Sequence, residues 1–300
     1  MKRIAIAFAI LACCLAAFAQ DLPKRPKINA LGLVRFRVSD LQRSRDFYQK
    51  TFLIGNISQD CFGVNTLCLN INAAQRIELV QGETSSPNLV EQVGFRTEDL
   101  DGLRRYLIDQ GLKPADITND KEGQPSFSVL DPEGHPVVFL PRTRPASFFS
   151  WPGQIGSEMI HAGFVVRDRA AEDHFYKDIL GFHLYWHGGM RDDKDDWVAM
   201  QVPDGTEWIE YMLNISPTAD KHTLGVMNHV SLGVPDIHAA EQGLIKNGWK
   251  PGEEPKLGRD GKWQLNLYDP DDTRVEFMEF TPKEKPCCSE FTGPHPGPKQ

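Results

Sequence analysis

The sequence predicts an α+β fold in which four βαβββ units pair into two domains. Three observations predict it. The first is an internal repeat: "LVRFRVSDLQRSRDFYQKTFLIG" (33–55) lies over "HAGFVVRDRAAEDHFYKDILGF" (161–182), with Asp40 against Asp168 and Phe47-Tyr48 against Phe175-Tyr176, each 128 residues apart. The second is a further repeat within the halves: "VGFRTEDLDGLRRYLIDQGLKP" (93–114) lies over "VSLGVPDIHAAEQGLIKNGWKP" (230–251), and "LDPEGHPVVFL" (130–140) over "YDPDDTRVEFM" (268–278). The third is that each unit reads the same way: an alternating strand, an acidic cap with an amphipathic helix, then short alternating strands.

The elements follow in chain order. Lys2 and Arg3 precede an apolar run from Ile4 to Phe18, and Ala17 and Ala19 are small residues placed for a cut. Residues 1–19 therefore read as a secretory signal peptide, too short for a spanning helix, and the mature chain is expected in the periplasm or outside the cell. A lipoprotein lipidated at Cys13 or Cys14 is the weaker alternative. The first domain runs over 28–143 and a proline-bearing linker over 144–156. The second domain covers 157–281. Its first helix has an apolar stripe of Ala170, Phe175, Ile179 and Leu180, stopped by Gly181, and is expected to make about three turns. "WVAMQV", "EWIEYML", "WQLNLYD" and "TRVEFMEF" alternate as strands. The proline-rich remainder, 282–300, is expected to be a flexible tail.

Composition bounds the function. The chain has 300 residues, 40% hydrophobic and 25% charged, as ordinary globular proteins do. Without Lys2 and Arg3, 31 basic side chains face 41 acidic ones, a net charge of −10. Such a chain, with no basic stripe, is a poor partner for nucleic acid or an anionic membrane. No second apolar run is long enough to span a bilayer. A small-molecule ligand is the expected partner, with the protein a monomer or a homodimer. Cys61, Cys68, Cys287 and Cys288 survive processing. Cys61 and Cys68 could bridge a hairpin or stay as free thiols; the adjacent pair has no assigned role.

Four polar residues break the apolar pattern at equivalent places. In "MNHVSLGV" (227–234), Val230, Leu232 and Val234 share one strand face, and His229, Ser231 and Gly233 the other. In "MIHAGFVV" (159–166), His161 and Gly163 share a face. Glu210 in "WIEYML" and Glu276 in "RVEFME" occupy the late strands of the same two units, Glu276 sharing its face with Arg274 and Met278. The order is His161, Glu210, His229, Glu276, with gaps of 49, 19 and 47. Two repeats that place the same pair at the same strand positions point to a common cause. One divalent metal between the units is the simplest, and this donor set suits Zn, Ni, Co, Mn or Fe(II). The small neighbours would leave room for ion and substrate. The N-terminal equivalents are Leu33, Glu78, Gln92 and Val138, so no such site is expected there. The glycine-rich loop 187–197 offers His187 and Arg191 as substrate contacts; His174 and His238 read as surface residues.

The repeated units, "FYKDILGF", "DPDDTRVEF" and the His/Glu/His/Glu order resemble the vicinal oxygen chelate superfamily. It includes glyoxalase I, methylmalonyl-CoA epimerase, extradiol catechol dioxygenases and resistance proteins for fosfomycin and bleomycin. The resemblance implies that each pair of units forms a half-open mixed β-barrel cleft. It also implies a metal that holds two neighbouring oxygens and stabilises the charge developing on them. Four protein ligands leave two octahedral positions, which suits a chelated enediolate and a glyoxalase I-like lyase or isomerase, with Glu210 or Glu276 as the catalytic base. Extradiol ring cleavage by Fe(II) is the alternative. It uses two histidines and one carboxylate, and its tyrosine ten residues before the last ligand is Asn266 here. A small-molecule binding protein without catalysis is a third reading.

Overall fold

The computed structural model describes residues 24–83, 90–121, 123–142 and 151–298. The strands form two eight-stranded mixed sheets, each a curled half-barrel. The first sheet holds β1 (Ile28–Val38), β2 (Ile57–Gln59), β3 (Thr66–Asn70), β4 (Arg76–Gln81), β5 (Val90–Thr97), β6 (Thr118–Asn119), β7 (Pro125–Leu130) and β8 (Pro136–Pro141). The second holds β9 (Glu158–Val165), β10 (His183–Gly188), β11 (Trp197–Gln201), β12 (Trp208–Met212), β13 (His229–Val234), β14 (Lys256–Leu257), β15 (Trp263–Tyr268) and β16 (Arg274–Glu279). The strand orders, β2-β3-β4-β1-β5-β8-β7-β6 and β10-β11-β12-β9-β13-β16-β15-β14, correspond position by position.

The first and last strands of each unit pair in parallel, which requires a crossover that a helix supplies. The crossover helices are α1 (Leu41–Phe52), α2 (Leu100–Asp109), α3 (Arg169–Glu172) with its π-helical continuation, and α5 (Ile237–Lys246). Asp40, Asp99, Asp168 and Asp236 cap their N-termini by accepting from backbone N–H groups. Antiparallel pairing of β1 with β5, and of β9 with β13, closes each pair of units into one sheet.

One apolar cluster runs through both sheets. Phe52 packs edge-on against Phe277 and Phe95 against Phe182, both at 5.1 Å between ring centroids. Buried Gln75 donates to the carbonyls of Leu31 (3.0 Å) and Met159 (2.8 Å), tying β1 to β9. Among the described residues no helix is long and apolar enough to cross a membrane.

The structure departs from the sequence reading in three elements. The three-turn helix expected after Asp168 is a single α turn followed by a π-helix, Asp173–Ile179. Leu180 N–H donates to the Phe175 carbonyl at 3.0 Å, a wider turn that carries Phe175, Tyr176 and Ile179 into the core together. Gly181, at φ +80°, ends it. A further helix, α4 (Lys221–Met227), runs directly into β13 and delivers His229. The tail expected to be loose is packed as far as residue 298. Its Thr292 N–H donates to the Tyr185 carbonyl (3.0 Å). Trp186 Nε1 and Gln201 Nε2 donate to the carbonyls of Cys287 (3.2 Å) and Pro294 (2.8 Å). The physical reason is that β10 is an edge strand, and the tail satisfies backbone groups the edge would leave unpaired. Cys61 is bonded to Cys68, and Cys287 to Cys288. Residues 1–23, which hold the expected signal peptide, and residues 143–150 of the link lie outside the described residues.

Candidate metal centre

His161 lies on β9, Glu210 on β12, His229 at the start of β13 and Glu276 on β16. These four strands are the centre of the second sheet, in the order β12-β9-β13-β16, so alternation turns all four side chains to one face. Register fixes the rest. Gly163 pairs with both Glu210 and His229, and Ser231 with both His161 and Glu276. A Cβ at Gly163 would collide with the His229 ring, so the glycine is what admits that imidazole. Gly233, by contrast, makes room for Phe280 and Ile160 rather than for the site.

The four side chains meet. The Nε2 atoms of His161 and His229 are 3.0 Å apart. Glu276 Oε2 lies 3.2 Å from His161 Nε2, and Glu210 Oε2 lies 3.5 Å from His229 Nε2. His161, Glu210 and His229 can each offer a ligand atom within 4.8 Å of the others, and Glu276 joins through His161. Neighbouring ligands on an octahedral ion with bonds of about 2.1 Å are about 3.0 Å apart, which is the spacing seen here.

Three observations fit this donor set to a divalent cation. His229 Nδ1 lies 3.2 Å from the Met227 carbonyl, a partner that favours the tautomer with Nε2 as a lone pair. Burial, with the Arg274 guanidinium beside it, pulls His229 down to about 4, so the ring is neutral at physiological pH. Glu276 Oε2 and Ser231 Oγ are buried with no hydrogen-bond partner among the described residues. Burial alone would raise both glutamates. The contact with His161 at 3.2 Å and the nearby Arg274 guanidinium hold Glu276 well below the usual carboxylate range, and the neighbouring imidazoles lower Glu210. Both carboxylates are ionised, as ligands must be. The side chains differ in exposure, 15% for Glu210 and 3% for Glu276.

A cleft of about 330 Å³ opens onto Glu210, Glu276 and Arg274. Trp186, Trp197, Met190 and Met278 give it an apolar wall. Loop 187–197 thus contributes Met190 and Trp197, but not the two residues expected from it. His187 Nδ1 is 2.7 Å from Asp195, and Arg191, 75% exposed, forks onto Asp193. Both are committed to carboxylates of their own loop and neither lines the cleft. His174 is exposed, and His238, also exposed, packs against Trp263.

Two features escaped sequence reasoning. Arg274 Nη2 lies 2.9 Å and 2.8 Å from the two ring nitrogens of His229; its place two residues before Glu276 on the same strand face was the available signal. Lys262 is wholly buried, with Nζ 4.5 Å from the Trp208 ring centroid, and that indole stacks on His161 at 4.7 Å. Burial lowers Lys262 to about 8 and raises Asp260 to about 6, and each partly offsets the other. Nothing in "GRDGKW" marks its lysine as buried.

Residues 158–277 match the profile of the Glyoxalase/Bleomycin resistance protein/Dioxygenase superfamily. That match lies within the C-terminal half of the chain. Solved structures extend the likeness of fold across both halves. A variant of homoprotocatechuate 2,3-dioxygenase from B. fuscum aligns with TM-score 0.63 at 20% identity, over 86% of this chain and 73% of that one. The Brevibacterium fuscum enzyme in complex with 3,4-dihydroxyphenylacetate aligns with TM-score 0.61 at 19% identity, over 86% and 82%. An extradiol ring-cleaving dioxygenase from B. fuscum aligns with TM-score 0.62 at 20% identity, over 86% and 73%. No curated protein matches the sequence. The donor set of His161, Glu210 and His229, with Glu276 beside it, fits a divalent metal.

Proposed function

We propose that the chain is an exported, metal-dependent enzyme that moves a proton on a small oxygenated substrate, as a glyoxalase-like lyase or isomerase. The observation that carries the reading is the run of contacts Glu276–His161–His229–Glu210, which offers four ligands rather than three. These residues would hold a divalent cation, whose charge stabilises an oxyanion on two neighbouring substrate oxygens. Glu210 is the better placed base. Its side chain lines the cleft, is the more exposed of the two carboxylates, and is the more loosely held. It takes the proton from carbon and returns it to the adjacent carbon, with no net change of charge. The wall of Trp186 and Trp197 keeps bulk water from the exchange. Export is supported by the N-terminal apolar run and by the two disulfides, which persist in an oxidising compartment.

Extradiol cleavage is the second reading, favoured by the fold of the aligned dioxygenases and by the confinement of the site to the C-terminal pair of units. Asn266 counts against it: it is buried on β15, and its amide donates to Glu253, 3.1 Å away. Glu210→Ala separates the two. Proton transfer predicts loss of hydrogen–deuterium exchange on α-hydroxycarbonyl substrates and weaker metal binding. Unchanged metal content together with oxygen uptake on catechols in this variant would sink the proposal and favour the dioxygenase.

A further inference from the structure

The metal-site reading leaves Arg274 unexplained. Its guanidinium presses against the His229 ring, 2.8 Å from the nitrogen assigned to the metal and 4.0 Å from Glu276. A fixed cation beside a cation site is unfavourable unless an anion is bound between them. The remaining charges of the cleft do not supply that anion. Arg259 is paired with Asp192, Lys256 with Glu253 at 3.2 Å, and Lys262 is offset by Asp260. Glu210, Glu276 and Arg274 together carry −1, and a divalent ion brings the site to +1. One negative charge from the ligand closes the balance. Arg274 is also built to receive it: the side chain is 12% exposed, its Nε has no hydrogen-bond partner among the described residues, and it lines the cleft. The apolar lining of Trp186, Trp197 and Met278 suits a flat apolar body.

We propose that Arg274 is a specificity-determining residue that selects an acidic substituent on a flat substrate, so that the preferred ligand is a planar organic monoanion. The inference rests on the metal reading of His161, Glu210, His229 and Glu276. Arg274 donates to the anion through the guanidinium edge and gives up its contact with His229 Nε2 as it does so. The residue at the equivalent position of the first sheet is Pro136, so this recognition belongs to the C-terminal cleft alone.

Salicylate and salicylamide test it, since they share two oxygens and a flat ring and differ in charge. Affinities are read by tryptophan fluorescence on zinc-loaded wild type, Arg274→Gln and Arg274→Lys, with metal content measured on each sample. Wild type is expected to prefer salicylate. In Arg274→Gln that preference falls about tenfold with salicylamide binding unchanged, and Arg274→Lys restores part of it. Full zinc content with the same preference in Arg274→Gln overturns the inference alone. Protein that takes up no zinc overturns the metal reading, and this inference with it. Thermal unfolding of the variants identifies a fold defect, in which case Arg274→Lys decides by the same ratio.

Discussion

The two sheets have the same strand order and the same pairings, yet only one presents a metal donor set among the described residues. Register makes the comparison position by position. Leu33 stands where the second sheet has His161, Arg35 for Gly163, Arg76 for Trp208, Gln92 for His229 and Val138 for Glu276. Only the glutamate is kept, Glu78 for Glu210. In the N-terminal sheet Glu78 is wholly buried and gripped by two guanidinium groups, each 2.6 Å away, with Arg35 laid over the Phe62 ring. In the C-terminal sheet the same carboxylate faces imidazoles. The difference teaches that the glutamate does not define the site. What faces it does: a glycine admits an imidazole, and an arginine in its place supplies the countercharge from protein.

Breaking the comparison at a ligand has the largest effect. His161→Leu installs the N-terminal residue, and metal affinity, measured by competition with a chelator, is expected to fall at least about 100-fold. The reciprocal change is Glu78→Ala. It removes the carboxylate shared by two half-buried guanidinium groups, of which only Arg76 keeps a second acidic partner, Asp120, so chemical denaturation is expected to show a loss of about 3 kcal/mol with metal content unchanged. A fall in metal content there would mean the two sheets are not separate in function.

A smaller effect sharpens the comparison outside the site. Glu172 sits where the first domain has Ser44, and both are wholly buried. Burial raises Glu172 from 4.5 to about 8, with Asp131 and Glu133 adding to the rise. The unfolded chain loses this proton near 4.5 and the folded chain keeps it to about 8, so stability falls as pH rises through that window and levels off above it. Glu172→Gln keeps the acceptor for Glu133 N–H and removes the titration. Melting temperatures followed across the window should decline less in the variant than in wild type; parallel declines would contradict the assignment.

Much of this was legible in the sequence. The repeats gave four units because each carries its own cap, with Asp40, Asp99, Asp168 and Asp236 all capping helices. The alternation around His161 and His229 gave the face of the site, since a strand's period of two leaves no freedom there. What was missed depends on distant contacts. The stripe Ala170, Phe175, Ile179, Leu180 was read at α-helical spacing, although its first step is five residues and the core selects a π turn. The tail's prolines suggested disorder, but Phe291 and His295 find Tyr185 across the fold. His187 and Arg191 were placed by loop composition, which does not reveal that Asp195 and Asp193 already hold them.

The central claim is that the imidazoles of the second sheet, and not the shared glutamate position, create a metal centre. Elemental analysis of protein purified without chelators tests it most directly, comparing wild type with His229→Gln, which carries the residue found at Gln92. The account predicts about one divalent ion per chain in wild type and none in the variant. Equal metal content in the two would contradict it.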